Sequence, residues 1–180
     1  GYTVPISFKS NWIAYQKRVA KQWRYNDHND LYQAYRLYTL AVAGAPDLSS
    51  MNRLRENSNL SNDSRLRLAA TYALVGQSKA AEELLKNSTI DFQPSRYDYR
   101  TYGSPQRNRA MALETYTIMN KNELARQLIE EMARTLTSDR YYNTLEQLYH
   151  FITIRKFNNQ FAGLDEQFQH TSKGKTNRFT

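Results

Sequence analysis

The chain has 180 residues, a formal net charge of +8 and no cysteine beside 14 tyrosines and 7 phenylalanines. That length is enough for one domain with a substantial core, and the missing cysteines exclude disulfides, a thiol nucleophile and any cysteine-based zinc or iron–sulfur site. No run approaches the roughly 20 apolar residues of a membrane helix, and no stretch has the pattern of a secretory signal.

In chain order, Tyr2, Val4, Ile6 and Phe8 alternate around Pro5 and are expected to be extended. A first helix is expected from about Ser10 to Tyr25, with Ser10 as its N-cap and Trp12, Ile13, Tyr15, Val19 and Trp23 as its apolar complement. Gln33 to Arg55, QAYRLYTLAVAGAPDLSSMNRLR, then reads as a helical hairpin. Ala34, Leu37, Tyr38 and Ala41 share one face, Gly44 supplies a left-handed C-cap, and Pro46 can start the returning helix.

The pattern echoes at Arg67 to Leu85, RLAATYALVGQSKAAEELL, where Leu68, Ala69, Tyr72 and Leu74 lead to Gly76 and Ala80, Ala81, Leu84 and Leu85 resume the stripe. Small residues at such a crossing let two helices approach closely. A third copy runs from Ala110, Leu113, Tyr116 and Thr117 through Asn120 to Leu124, Ala125, Leu128, Ile129 and Met132, with asparagine standing where glycine stood. A fourth takes Leu145, Leu148, Tyr149 and Ile152 to a break at Asn158 and Asn159, followed by Phe161, Leu164 and Phe168. The breaks at Gly44, Gly76, Asn120 and Asn158 are 32, 44 and 38 residues apart, too uneven for a regular solenoid but natural for helical pairs around a common core. Four hairpins and a preceding helix, about eight to ten helices in all, are therefore expected, with any strand confined to the ends.

One loop departs from this array. Ile90 to Pro105 holds Pro94, Gly103 and Pro105, four aromatic residues, Arg96 and Arg100; a stretch of that length without helical pattern is often functional. The tail from Ser172, SKGKTNRFT, lacks a stripe and reads as a linker or the start of a neighbouring element.

The positive charge and the tyrosines raise the question of nucleic acid. Lysine and arginine, however, are spread along the chain with no run beyond two, and many tyrosines sit in the helical stripes, so the basic residues read as a solvated face. Catalytic patterns are scarce. His28, His150 and His170 stand far apart without a metal-ligand pattern, and His150, in LYHFI, reads as a partly buried helix residue. The adjacent pairs Glu82–Glu83 and Glu130–Glu131 diverge by about 100° on a helix and read as solvated faces. The chain has neither a nucleotide-binding loop nor a GxSxG elbow. No enzymatic activity, cofactor or metal is expected of it.

The order of segments carries more. GYTVP, WIAYQKRVAKQW, QAYRLYTLAVAGAPDLSSMNRLREN, LSNDSRLRLAATYALVGQSKAAEELL, YDYRTYGSPQRNRAMALETYTIM and SDRYYNTLEQLYHF together resemble the thioester domain of bacterial alpha-2-macroglobulins, over nearly the whole chain. The resemblance implies an all-α fold, an α/α toroid with helical hairpins in inner and outer rings, of which residues 1–171 would be the later part and 172–180 the linker toward a β-rich domain. It implies a non-enzymatic part of a broad-spectrum protease inhibitor that entraps its target, in a periplasmic or cell-surface protein anchored to the membrane outside this domain. The implied partners are target proteases and neighbouring β-rich domains of the same chain, with no nucleic acid and no direct membrane contact. In many members a Cys–Gln thioester, held dry until activation, acylates the protease; its Cys-x-Glu-Gln motif would lie upstream of GYTVP, or be lacking altogether in a thioester-less homologue.

Two differences from that family bear on chemistry. In the related complement components a histidine on the stretch corresponding to Tyr97–Tyr102 assists acyl transfer to hydroxyls, whereas this chain has YDYRTY, which would favour amine nucleophiles. Asn143 to Phe151, NTLEQLYHF, replaces a threonine- and alanine-rich helix with bulkier residues. By family position the loop supplies Tyr97, Tyr99, Arg100 and Tyr102 as the candidate rim facing the thioester or a neighbouring domain. A tetratricopeptide-like scaffold that binds peptides or proteins is the alternative, from the near-repeat spacing of Tyr72, Gly76 and Ala80 or Ala81; an α/α-toroid glycosidase would need two carboxylates about 5–10 Å apart on the inner ring.

Overall fold

A computed structural model of the chain describes residues 5–26, 29–94, 102–137, 141–161, 168–172 and 175–179. Among them are eight helices: α1 (Ile6–Gln22), α2 (Asp30–Val42), α3 (Leu48–Arg55), α4 (Asn62–Leu74), α5 (Ser78–Lys86), α6 (Pro105–Ile118), α7 (Asn122–Leu136) and α8 (Thr144–Phe161). Two short strands, β1 (Phe168–Ser172) and β2 (Lys175–Phe179), pair antiparallel at the end, with Phe168 opposite Phe179. The fold is all-α apart from this hairpin. No helix among the described residues is long and apolar enough to cross a membrane.

The helix breaks follow backbone chemistry. Gly44 and Gly76 both have φ +76° and Asn120 has φ +55°. In each case the next amide reaches back five residues, Ala45 to Leu40 O at 2.9 Å, Gln77 to Tyr72 O at 2.9 Å and Lys121 to Tyr116 O at 2.8 Å, closing the Schellman C-cap that the left-handed residue permits. The returning helices α3, α5 and α7 follow at once. Pro46 does not open α3; Asp47 does, its carboxylate accepting from Ser50 N at 2.9 Å.

Four further expectations need correction. α1 starts at Ile6, so Ile6 and Phe8 are helical, not extended, because Pro5 has the φ suited to a helix entrance and lacks only an N–H no partner needs. Ser10 is no cap; its hydroxyl donates to Ser7 O within the first turns. α8 runs unbroken through Asn158 and Asn159 to Phe161, where Phe157 and Phe161 stack at 4.5 Å, so the described residues hold three hairpins and a single last helix. The stripe on α8 is also turned from expectation: Leu148 and Ile152 are exposed, and Glu146, His150 and Thr153 face inward.

Helices α2, α4, α6 and α8 pack side by side as an inner row, each neighbour to the next, while α3, α5 and α7 lie behind the hairpin partner that precedes them and α1 lies against α2 and α3. Ala34, Leu37, Met51, Leu54, Leu68, Ala69 and Tyr72 form one apolar core on one side of α4; Leu66, Ala110, Leu113, Leu128 and Met132 form a second on the other. Buried alanines at 69, 70, 110 and 112 put only methyl groups between the inner helices, so these can approach closely. Arg53 closes the end of α1, donating to Lys21 O at 2.9 Å and Ala20 O at 2.6 Å, and Gln33 adds a third donor to Ala20 O at 3.0 Å.

Candidate functional site

The inner helices all start at one end of the molecule, and polar side chains tie their first turns together. Ser61, which caps α4, donates its amide to Asp30 of α2 at 2.7 Å; Asn108 of α6 donates to Asp63 of α4 at 2.8 Å; Ser104, which caps α6, donates to Glu146 of α8 at 2.5 Å. Adjacent N-termini mean that the four inner helices run parallel. Glu146 also accepts from Asn143 N at 3.0 Å while Asn143 accepts from Glu146 N at 2.9 Å, a capping box written in NTLE. Acidic groups in these first turns are where the helix dipoles favour them.

The row curls until α2 meets α8, and the interior this closes is ionic. Glu114 of α6 is buried and accepts from Arg67 Nη1 of α4 at 2.5 Å, from Tyr38 of α2 at 2.7 Å and from Lys156 Nζ of α8. Four helices converge on one carboxylate. Arg67 is 1 % exposed and its Nε and Nη2 have no hydrogen-bond partner among the described residues; its guanidinium lies instead over the rings of Tyr38 at 4.3 Å and Tyr35 at 4.8 Å, which replace part of the lost hydration. Burial alone would raise the Glu114 pKa, but Arg67 and Lys156 outweigh it and hold it down at about 2. Burial alone would likewise lower the basicity of Arg67, and Glu114 reverses that. The Tyr35 and Tyr38 phenols are pushed up, first by burial, so both are neutral hydrogen-bonding groups at physiological pH.

Above this cluster, at the N-terminal end of the row, is a cleft of about 410 Å³. Its walls come from Gln16 of α1, Leu31, Tyr35 and Arg36 of α2, Arg107 of α6 and Tyr149 of α8, with Tyr102 at its margin. Tyr35 and Tyr149 join α2 to α8 through their hydroxyls, their rings edge to face at 6.4 Å. Arg36 is held by neutral oxygens, Gln16 Oε1 at 3.1 Å and Gln33 Oε1 at 2.7 Å. Arg107 is buried and donates to Asn108 Oδ1, with Asp63 at 3.9 Å.

Of the expected rim residues, Tyr97, Tyr99 and Arg100 lie outside the described residues. Tyr102 is 79 % exposed with φ +50° and lies at the cleft just before α6. Phe92 is the buried anchor at the start of the same loop. His150 is buried, its Nδ1 2.6 Å from Glu146 O and its ring against Tyr142. Glu82 and Glu131 pair with Lys121 at 2.7 Å and Arg109 at 3.1 Å. No group of three or more metal-ligating side chains occurs among the described residues. The ionic cluster was not anticipated from the sequence. Its one local signal is Glu114 itself, a lone carboxylate in AMALETYT, where the small and apolar residues leave no polar face to hold it.

Comparison with protein-family models, with curated proteins and with solved structures gives no match to this chain.

Proposed function

We propose that this chain is the later part of an α/α-toroid thioester-type domain, a non-enzymatic component of a bacterial alpha-2-macroglobulin-like inhibitor that entraps proteases. One observation supports the reading beyond the sequence resemblance: four parallel inner helices, the first three each paired with a returning helix behind it, form a curled two-layer array of the kind a ring of helical hairpins requires. Two of the segments that carry the resemblance help build it. AYRLYTLAVAG is α2 with its cap, and GSPQRNRAMALET is the cap and body of α6.

On this reading the buried ionic cluster fixes how the four inner helices meet, and the loop before α6 faces the thioester site or a β-rich neighbour. The protein carrying it would sit in the periplasm or at the cell surface, anchored outside this domain. The test uses the full-length protein mixed with a general protease. Entrapment predicts that the protease keeps its activity on short peptides and loses it on large protein substrates. Undiminished digestion of large substrates, by proteases that do cleave the protein, refutes the reading.

A further inference from the structure

We propose that the cleft between α1, α2, α6 and α8 is a binding site for a small organic acid, one carboxylate on a flat aromatic body. This goes beyond the inhibitor reading and does not rest on it. The volume, about 410 Å³, lies in the lower part of the range of small-molecule pockets, roughly 300–1,000 Å³. Two guanidiniums, Arg36 and Arg107, stand in its walls, and no carboxylate of the described residues lines it.

Arg36 is the anchor. Its hydrogen bonds go to the side-chain oxygens of Gln16 and Gln33, which fix the guanidinium in place and, among the described residues, give it no carboxylate partner. Burial already lowers its basicity, so an anion beside it recovers attraction that neutral amides cannot supply. The planar fork suits a carboxylate geometrically as well. The remaining walls fit the body: Leu31 and Leu145 are apolar, and Tyr35 and Tyr149 present ring surface with their hydroxyls engaged with each other. The net charge of +8 favours approach of an anion.

The purified chain is titrated by NMR with benzoate, 4-hydroxybenzoate and the neutral isostere benzamide. The expected result is saturable binding of both acids, with shifts at Arg36 Hε, Gln16 and Leu145, and binding of benzamide weaker by about tenfold, as loss of one charged hydrogen bond implies. Arg36→Gln should weaken the acids by about tenfold and leave benzamide unchanged. Leu145→Trp, which fills the cleft from its α8 wall, should abolish binding of all three. Equal affinity for acid and amide, no saturable binding, or acid affinity unaltered in either variant overturns the proposal. Should Arg36→Gln fail to fold, the acid–amide comparison on the parent and the Leu145→Trp variant decide it.

Discussion

Arg67 Nη1 lies 2.5 Å from Glu114 Oε2, and both side chains are withdrawn from solvent. The pair joins α4 to α6 at the point where Tyr38 and Lys156 bring in α2 and α8. A buried pair of this kind contributes little net stability over apolar packing, yet breaking it exposes the full cost of desolvating the survivor.

The two halves of the pair should therefore behave unequally. Glu114→Gln leaves Arg67 buried without a carboxylate and should cost about 3–5 kcal/mol. Arg67→Met leaves Glu114 its bonds from Tyr38 and from Lys156, which reaches solvent, and should cost less. Urea denaturation of both variants and of the double variant checks the ranking. Equal losses would show that Lys156 and Tyr38 do not share the charge.

Acid stability follows from the same carboxylate. The folded Glu114 pKa, about 2, is below its ordinary value of 4.5, so the stabilising contribution is fully present above about pH 4.5 and is lost as the pH falls through about 2. The difference is equivalent to about 3 kcal/mol. Thermal melts from pH 6 to pH 2 should fall more steeply for the parent than for Glu114→Gln. Parallel curves would contradict the assignment.

Tyr38 and Tyr72 are both buried, as their place before the small-residue crossings suggested. Truncation of either to alanine should cost roughly 3–5 kcal/mol and leave little folded protein. Tyr38→Phe removes the bond to Glu114 and the oxygen that accepts from Lys156 Nζ at 3.2 Å and should cost about 1.5–3 kcal/mol, the range for hydrogen bonds to charged groups. Alanine variants melting within a degree or two of the parent would refute the packing described.

At Gly44 and Gly76 a Cβ would meet nothing within 4 Å, so substitution there tests the backbone alone. Gly44→Ala and Gly76→Ala should each cost about 1–2 kcal/mol through the left-handed conformation. Chemical denaturation gives the value directly. A neutral effect would mean that the cap rearranges at no cost.

The loop before α6 offers a functional test in the full-length protein. On the proposed thioester-domain reading, replacing Tyr97, Tyr99 and Tyr102 together by serine should speed attack of amines on the thioester, or loosen the domain contact in a homologue without one, while the domain stays folded. Unchanged reactivity and contacts with a large loss of domain stability would leave these tyrosines a packing role only.

The residues alone determined the features that depend on near neighbours. Gly44, Gly76 and Asn120 end helices because a left-handed residue is cheap in glycine and tolerated in asparagine, and the faces of α2 and α7 follow from the spacing of Leu37 and Tyr38 and of Ala125, Leu128 and Met132. Local reading failed on α8, where an apolar spacing at Leu148 and Ile152 suggested the wrong inward face. Bonds from Ser104 to Glu146 and from Lys156 to Glu114 set the rotation of that helix, and they join residues 42 positions apart.

The cluster and the cleft above it were decided only by the tertiary structure. Arg67 and Glu114 are separated by 47 residues, and no periodicity distinguishes a charge that will be solvated from one that will meet its partner in the interior. Arg67 sits among leucines and alanines that any amphipathic helix can carry, and its burial depends on the curl that brings α2, α4, α6 and α8 around one point. The cleft exists because that curl sets Arg36, Arg107 and Tyr149 of three helices around one space. Local propensities set where each helix stops; long-range packing sets which side chains share an enclosed volume, and there the electrostatics of this protein are determined.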